Sequence, residues 1–423
     1  MTEAHTPSAA VLADAEPSRG VVITTLGLTQ IFAWGSSYYL LAVLAKPIAA
    51  DTGWPLSLVV GGVSLGLLAA GTISPRVGRA IDRHGGRPVL SASSALLAAG
   101  LAGLSLAPSA PAYLAAWVVI GLGMGAGLYD AAFAALGRIY GKEARRAITQ
   151  LTLWGGFAST VCWPLSAYLV ESLGWRGACF AYAALQLALA LPAHLLLLPR
   201  ARTPATIGPA APTAPDPPAV DAAPGPVLNE RRALLLMAGV VTIGGAASSL
   251  FSVHLLTLLQ SRDLPLSAAV SLGVLIGPSQ VGARVVEMAF GRRYHPIWTL
   301  VSALVLIASG LALLAAGFSL PAVALVLYGA GNGIYSIGRG TLPLALFGSA
   351  RYPVLMGRLA LPSLLAQALA PSAGALILEH GGAGWTFALL ALLATLNVVL
   401  VVALWIGCRP SGASLPAGRA RTI

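Results

Sequence analysis

Charge is what this chain has least of. Only 9% of its 423 residues are Asp, Glu, Lys or Arg, against roughly 25% in ordinary soluble domains. So few charges cannot cover a water-soluble globule of this size, which excludes an ordinary cytosolic enzyme. Lysine is nearly missing: Lys46 and Lys142 are the only two. Cysteine is scarce as well. Cys162, Cys179 and Cys408 have no CxxC spacing, so neither a disulfide framework nor a metal cluster is expected, and no cofactor is. No phosphate-binding loop is present, so ATP-driven chemistry is not expected either. Met1–Arg19 lacks an apolar core, and no cleavable leader is expected there.

What is there is apolar. Hydrophobic residues make up 57% of the chain, and the mean hydropathy is +0.82. A membrane-spanning helix needs about 20 mainly apolar residues. Twelve such runs lie near 22–45, 56–76, 88–107, 111–137, 148–171, 177–198, 234–258, 266–290, 297–317, 321–347, 355–379 and 385–407. Between the sixth and seventh the composition changes. The stretch APTAPDPPAVDAAPGP cannot build a core and reads as a flexible linker. The expected organisation is a tail (1–21), a six-helix bundle (22–198), a Pro/Ala-rich linker (199–233), a second six-helix bundle (234–407) and a tail (408–423). The fold class is an all-α membrane protein.

The net charge of +11 falls in short clusters between the runs, which is the pattern of biased membrane topology and not of a nucleic-acid footprint. With the N-terminus placed in the cytoplasm, 20 of the 25 basic residues lie in cytoplasmic segments. Three, Lys46, Arg176 and Arg262, lie outside, and Arg284 and Arg339 lie within runs. Both termini are therefore expected to be cytoplasmic, in the inner membrane.

The two halves echo one another. Gly121–Tyr129 (GLGMGAGLY) resembles Gly329–Tyr335 (GAGNGIY). Trp163-Pro164 and Gly174-Trp175 are echoed by Ala370-Pro371 and Gly384-Trp385, and Pro55-Leu56-Ser57 by Pro265-Leu266-Ser267, at offsets of 206–210. Duplicated six-span halves joined by a linker are an architecture of secondary transporters.

The most specific string follows the second run: Gly78-Arg-Ala-Ile-Asp82-Arg83-His-Gly85-Gly-Arg87-Pro88. It resembles the signature loop between spans two and three of the major facilitator superfamily, Gly-x-x-x-Asp-Arg-x-Gly-x-Arg. That resemblance implies two pseudo-symmetric bundles, transport by alternating access, and a gating role for Gly78, Arg79, Asp82, Arg83, Gly85 and Arg87. It also implies that spans one, four, seven and ten line the cavity. The Gly-Pro-x-x-Gly-Gly run of drug exporters is absent from span five, which carries Trp163-Pro164-Leu165-Ser166 instead.

Four ionisable residues lie in the apolar runs: Asp130, Arg284, Glu287 and Arg339. Such residues are costly in hydrocarbon and are functional candidates. Asp130 is expected to pair with Arg79 or Arg83, or to carry protons. The repeat suggests a mirrored pair, Glu287 with Arg339. Arg284 shares a helical face with Gln280 and Gly277, and is suited either to a carboxylate substrate or to a salt bridge with Glu287. Asp51-Thr-Gly-Trp54 together with GRAIDRHGGRPVL and Arg284 resembles the oxalate–formate antiporter and monocarboxylate porter branches. Those branches use an arginine of span eight for a carboxylate. The lysine of the antiporter's span eleven is missing here, and Gln280 stands where many monocarboxylate porters have an acid.

Polar residues recur at helical spacing elsewhere. Gln30, Trp34 and Ser37 in span one, and Asn332 with Tyr335 or Ser336 and Arg339 in span ten, are candidate cavity-lining residues. Ser363 and Gln367 lie one turn apart in span eleven. His254 in span seven could titrate during coupling. The sequence thus predicts a non-enzymatic secondary transporter, coupled to protons, for a small organic anion such as a monocarboxylate. It is expected to act as a monomer. The other readings are an efflux transporter for a drug or toxic metalloid and a transport-incompetent sensor.

Overall fold

The computed structural model describes residues 17–200 and 230–407. Most of the linker, both tail ends and Cys408 lie outside the described residues. All regular structure among the described residues is helical. The first half holds α1 (Arg19–Gly35), α2 (Leu40–Thr52), α3 (Leu56–His84), α4 (Gly86–Ser105), α5 (Ala110–Gly127), α6 (Tyr129–Tyr140), α7 (Ala144–Gly155), α8 (Ala158–Leu185) and α9 (Leu191–Leu197). The second holds α10 (Glu230–Gln260), α11 (Leu266–Val274), α12 (Ile276–Phe290), α13 (Pro296–Ala315), α14 (Pro321–Phe347) and α15 (Tyr352–Gly407).

Eight continuous helical segments among the described residues are long and apolar enough to cross a membrane. Two of them are too long to cross once. Ala110–Leu197 has 88 residues and α15 has 56. At about 1.5 Å per residue the first would be about 130 Å of straight helix, some four bilayer cores. Glycines divide them: Gly141 and Gly174 in the first, Gly382 in α15, all with positive φ. The α14 helix has a span's length, but its glycines, Asn332 and Arg339 leave it less apolar. Eight is fewer than the twelve expected runs, because the helices run on through the turns at these glycines and α14 is less apolar. The first helix after the linker begins at Glu230, within the stretch expected to be linker.

The duplication is written in the backbone. Positive φ occurs at Gly53 and Asp263, at Gly141 and Gly348, and at Gly174 and Gly382. These pairs are 210, 207 and 208 residues apart. The turn glycine of the second half is therefore Gly382, two residues before the Gly384 of the sequence echo.

Each half buries its own apolar core. Two clusters around Trp117 and Phe133 are built almost entirely from α1 to α9. Two around Phe251 and Met237 are built from α10 to α15. Helices lie close where side chains vanish. A Cβ on Gly121 would sit 2.2 Å from the Gly66 carbonyl oxygen, so α3 and α5 touch through backbone, as small residues allow in lipid. The α3 helix also packs along α15, where the halves meet: a Cβ on Gly78 would lie 2.4 Å from Pro353 O, and one on Gly357 2.3 Å from Ser74 O.

The signature string is a correction to the sequence reading. Gly78 to His84 form the last turns of α3 and not a loop, because no helix breaker intervenes before Gly85, whose φ of 81° ends the helix.

Candidate functional site

Two membrane-length arms break in mid-course, and the breaks meet. Between α1 and α2 the chain turns at Ser36–Tyr39; between α5 and α6 Leu128 is extended. Each break frees backbone groups that lipid cannot satisfy. Gln30 Nε2 donates to the Gly127 carbonyl at 2.5 Å, and Trp34 Nε1 donates to Gln30 Oε1 at 3.1 Å. Ser37 Oγ donates to Ala33 O at 2.5 Å, and Gln186 Nε2 donates to Ser36 Oγ at 3.0 Å. The polar stripe of Gln30, Trp34 and Ser37 thus supports the breaks.

The breaks also gather aromatic rings. Trp34 lies 5.4 Å from Tyr38, 5.9 Å from Tyr39 and 5.2 Å from Tyr129, centroid to centroid. Tyr129 stacks on Phe133 at 5.1 Å, and Tyr39 meets Trp163 edge-on at 6.3 Å.

Arg284 faces this aromatic row from the other half. It is 6% exposed. Its Nε donates to Gly333 O of α14 at 3.2 Å, and its Nη1 to Thr152 O of α7 at 3.0 Å. The Tyr129 hydroxyl donates to the same Thr152 oxygen at 3.4 Å. The charge of Arg284 reaches the phenols of Tyr39 and Tyr129. Among the described residues no carboxylate pairs with it. The expected salt bridge to Glu287 is not formed. Glu287 Oε1 instead accepts from Thr299 Oγ1 of α13 at 2.6 Å.

Toward the end of the bundle that carries most of the arginines, further contacts cross between the halves. Arg339 Nη2 donates to Asp130 Oδ1 at 2.6 Å. Arg145 Nη1 and Nη2 donate to Tyr294 O at 2.8 Å and Gly291 O at 2.6 Å. Within the second half, the fully buried Tyr352 hydroxyl donates to Gly340 O at 2.5 Å. The sequence paired these groups differently. Asp130 takes neither Arg79 nor Arg83, and Glu287 does not take Arg339. The reason is depth: the signature arginines project from the end of α3, where they are exposed, while Arg339 reaches Asp130 directly across the interface.

A model of the family described as the Major Facilitator Superfamily matches residues 26–338. The chain belongs to the major facilitator superfamily. It is a multi-pass membrane protein and a transporter of the secondary kind. Among solved structures, the human organic anion transporter MFSD10 (TETRAN) matches with a TM-score of 0.71 and 19% identity, over 91% of this chain and 100% of that one. The proton:xylose symporter XylE, bound to 6-bromo-6-deoxy-D-glucose, matches with a TM-score of 0.68 and 10% identity, over 91% and 95%. At those identities the likeness is one of fold. No curated protein matches the chain.

The remaining candidates of this facilitator are dispersed. Gln280 and Asn332 are half-buried on the seam of α12 and α14, which approach so closely that a Cβ on Gly333 would lie 2.4 Å from Gln280 O. The Tyr335 hydroxyl donates within its own half, to Val240 O and Val241 O at 3.4 Å. His254 Nε2 donates to Pro371 O at 2.9 Å. Ser363 and Gln367 bond each other, and Ser363 Oγ donates to Val241 O. Of the signature residues, Gly78 sits on the interface. Asp82 and Arg87 are half-buried, Arg79 and Arg83 are exposed, and none of these four forms an ion pair among the described residues.

The sequence reading missed Arg145, Thr152, Tyr38, Tyr39 and Tyr129. The tyrosines left a trace, since Tyr38-Tyr39 follows two serines inside an apolar run and Tyr129 ends a glycine run. Thr152 acts through its carbonyl, which leaves no trace. The buried link of His194 to Ser94 and Thr29, both at 3.0 Å, was also unread; it ties α9 to α4 and α1.

Proposed function

We propose that this protein carries a small organic anion bearing a carboxylate across the cytoplasmic membrane, by rocking its two halves about the site between the broken helices. The carrying observation is Arg284. A guanidinium 6% exposed and held by two neutral carbonyls, with no acid paired to it among the described residues, is open to an anionic ligand. Burying such a charge is costly unless an anion completes it, and a planar fork suits a carboxylate. The aromatic row of Trp34, Tyr38, Tyr39 and Tyr129 supplies an apolar wall opposite. Gln280 and Asn332 flank the site from α12 and α14.

Coupling to protons is assigned to Asp130. Protonating it releases Arg339 and with it one link between the halves. His254, with its Nε2 committed to Pro371 O, and Glu287, engaged by Thr299, are less available for that role. The arginine-rich end is read as cytoplasmic, with both termini on that side, and the unit as a monomer. The metalloid version of the efflux reading loses support, since Cys162 and Cys179 are buried within the packing of the first half and Cys162 Sγ donates to Ile31 O.

The test is thermal stabilisation of the purified protein by a panel of small carboxylates, beside Arg284→Gln. A ligand at about 100 times its dissociation constant adds about 2.7 kcal/mol. One carboxylate should raise the melting temperature of the wild type and not of the variant. A panel without effect on the wild type sinks the anion reading, and a neutral or cationic substrate then takes its place.

A further inference from the structure

A cavity of about 310 Å³ opens on the seam between α7 and α12, at the arginine-rich end. One arginine clamp borders it, where Arg145 holds Gly291 O and Tyr294 O, and a second, where Arg284 holds Thr152 O, lies further along the same seam. One wall comes from the first half and includes Lys142, Arg145, Arg146 and Thr149; the other comes from α12 and the residue that caps it, with Glu287 and Gly291. Arg145, Thr149 and Thr152 share one face of α7, and Arg284 and Glu287 share the face of α12 that leads to Gly291. The seam that lines the cavity therefore leads straight to Arg284. From Gly291 to Arg284 is seven residues, or about 10 Å along a helix.

The charges of the lining are unequal in availability. Glu287 is engaged by Thr299 and faced by Arg145. The carboxylate of Glu143, the other acid of the lining, is exposed, and its main-chain carbonyl accepts from Arg19, which brings a further cation to the rim. Lys142 and Arg146 are exposed, and no ion pair among the described residues involves them. They flank the first turn of α7, where the helix dipole adds positive potential.

We propose that this cavity is a second anion site, a vestibule in which a small carboxylate is held by Lys142 and Arg146 about two to three helical turns from Arg284. The proposal rests on the carboxylate reading of Arg284. A carboxylate leaving Arg284 toward the arginine-rich end enters the chamber before the Arg145 clamp. One arriving from that end is captured there, while Arg284 is still bound to Thr152 O. The site collects the anion, and the clamps set the order of its passage.

The experiment is a titration of the purified full-length protein with trifluoroacetate, read by ¹⁹F line broadening. Arg284→Gln should keep a saturable component, and that component should weaken with ionic strength. The double variant Lys142→Gln/Arg146→Gln should hold trifluoroacetate about fivefold to tenfold more weakly in this component while keeping the component that depends on Arg284. Arg138→Gln, an exposed arginine outside the lining, should change neither. Unchanged melting temperatures without trifluoroacetate show that all variants are folded. A double variant that titrates like the wild type overturns the vestibule, as does a wild type with no saturable component. Should Arg284→Gln lose nothing while the double variant loses everything, the vestibule stands and the assignment of Arg284 falls.

Discussion

Arg339 and Asp130 face each other across the two halves, guanidinium nitrogen 2.6 Å from carboxylate oxygen, each side chain about one-fifth exposed. The pair fastens α14 to α6 near the arginine-rich end. Because both groups are largely withdrawn from water, removing one strands the other. Asp130→Asn and Arg339→Gln should each destabilise the protein by about 1–3 kcal/mol, below the range for a fully buried pair. The double variant should lose less than the sum of the two. Thermal unfolding of the four proteins measures the coupling, and strict additivity would show that the pair contributes nothing.

Gly78 and Gly121 separate two kinds of helix contact. Gly78→Ala places a methyl against the Pro353 carbonyl oxygen, in the other half. Its expected effect is to hold the halves apart, slowing transport while leaving each half's own core intact. Gly121→Ala meets the Gly66 backbone inside the first half, and should cost about 1–3 kcal/mol of stability by overpacking. Melting temperature and solute exchange, measured together, distinguish the two outcomes.

Gly156→Ala tests the clamp without replacing Arg284. The new Cβ would lie 2.4 Å from Arg284 Nη1, the mobile end of a long side chain. The guanidinium should swing off Thr152 O and the α7–α12 seam should loosen. Alkylation of a cysteine introduced on that seam should speed up, with carboxylate binding retained. Loss of binding together with unchanged alkylation would argue that Arg284 does not clamp the seam.

His295 makes stability depend on pH. Its Nδ1 accepts from Ile297 N at the start of α13, 3.2 Å away, which requires an unprotonated nitrogen. Burial, and then the charge of Arg145, hold its pKa below the ordinary value, which is about 6.5. A histidine with a depressed pKa takes up its proton more readily when unfolded. Its stabilisation is therefore complete above about pH 6.5 and erodes as pH falls below that toward the folded pKa. The melting temperature should drop between about pH 7.5 and 5.5 by an amount that His295→Asn, which caps without titrating, removes.

The fold was legible because lipid leaves the sequence few options. Apolar runs of span length, arginines biased to one side and a repeated order of motifs lead to two six-span halves. The repeat was legible too, though its echo of Gly174 was placed at Gly384 and the backbone repeats the turn at Gly382. The candidate site was only partly legible. Asp130, Arg284, Glu287 and Arg339 stood out by their cost in hydrocarbon, but their partners did not. The repeat suggested one acid–base pair in each half; among the described residues the structure instead pairs Asp130 with Arg339 between the halves, because the two are related by the internal symmetry and meet across it. Side-chain chemistry could not reveal the partners of Arg284 and Arg145, since these are main-chain oxygens.

Those main-chain oxygens have a genetic consequence. No codon change can delete the carbonyl of Thr152, Gly291, Tyr294 or Gly333. The clamps cannot be broken by deleting the receiving group, so Thr152 and Tyr294 are free to drift in identity while the clamp persists, whereas Gly333 and Gly291 are held by packing, since a Cβ there would meet Gln280 O and Glu287 Oε1. A screen for variants that loosen the transporter should therefore recover Arg145 and Arg284, glycine neighbours such as Gly156, and almost nothing at Thr152 and Tyr294. Covariation between the arginines and their receivers should be absent even though they touch.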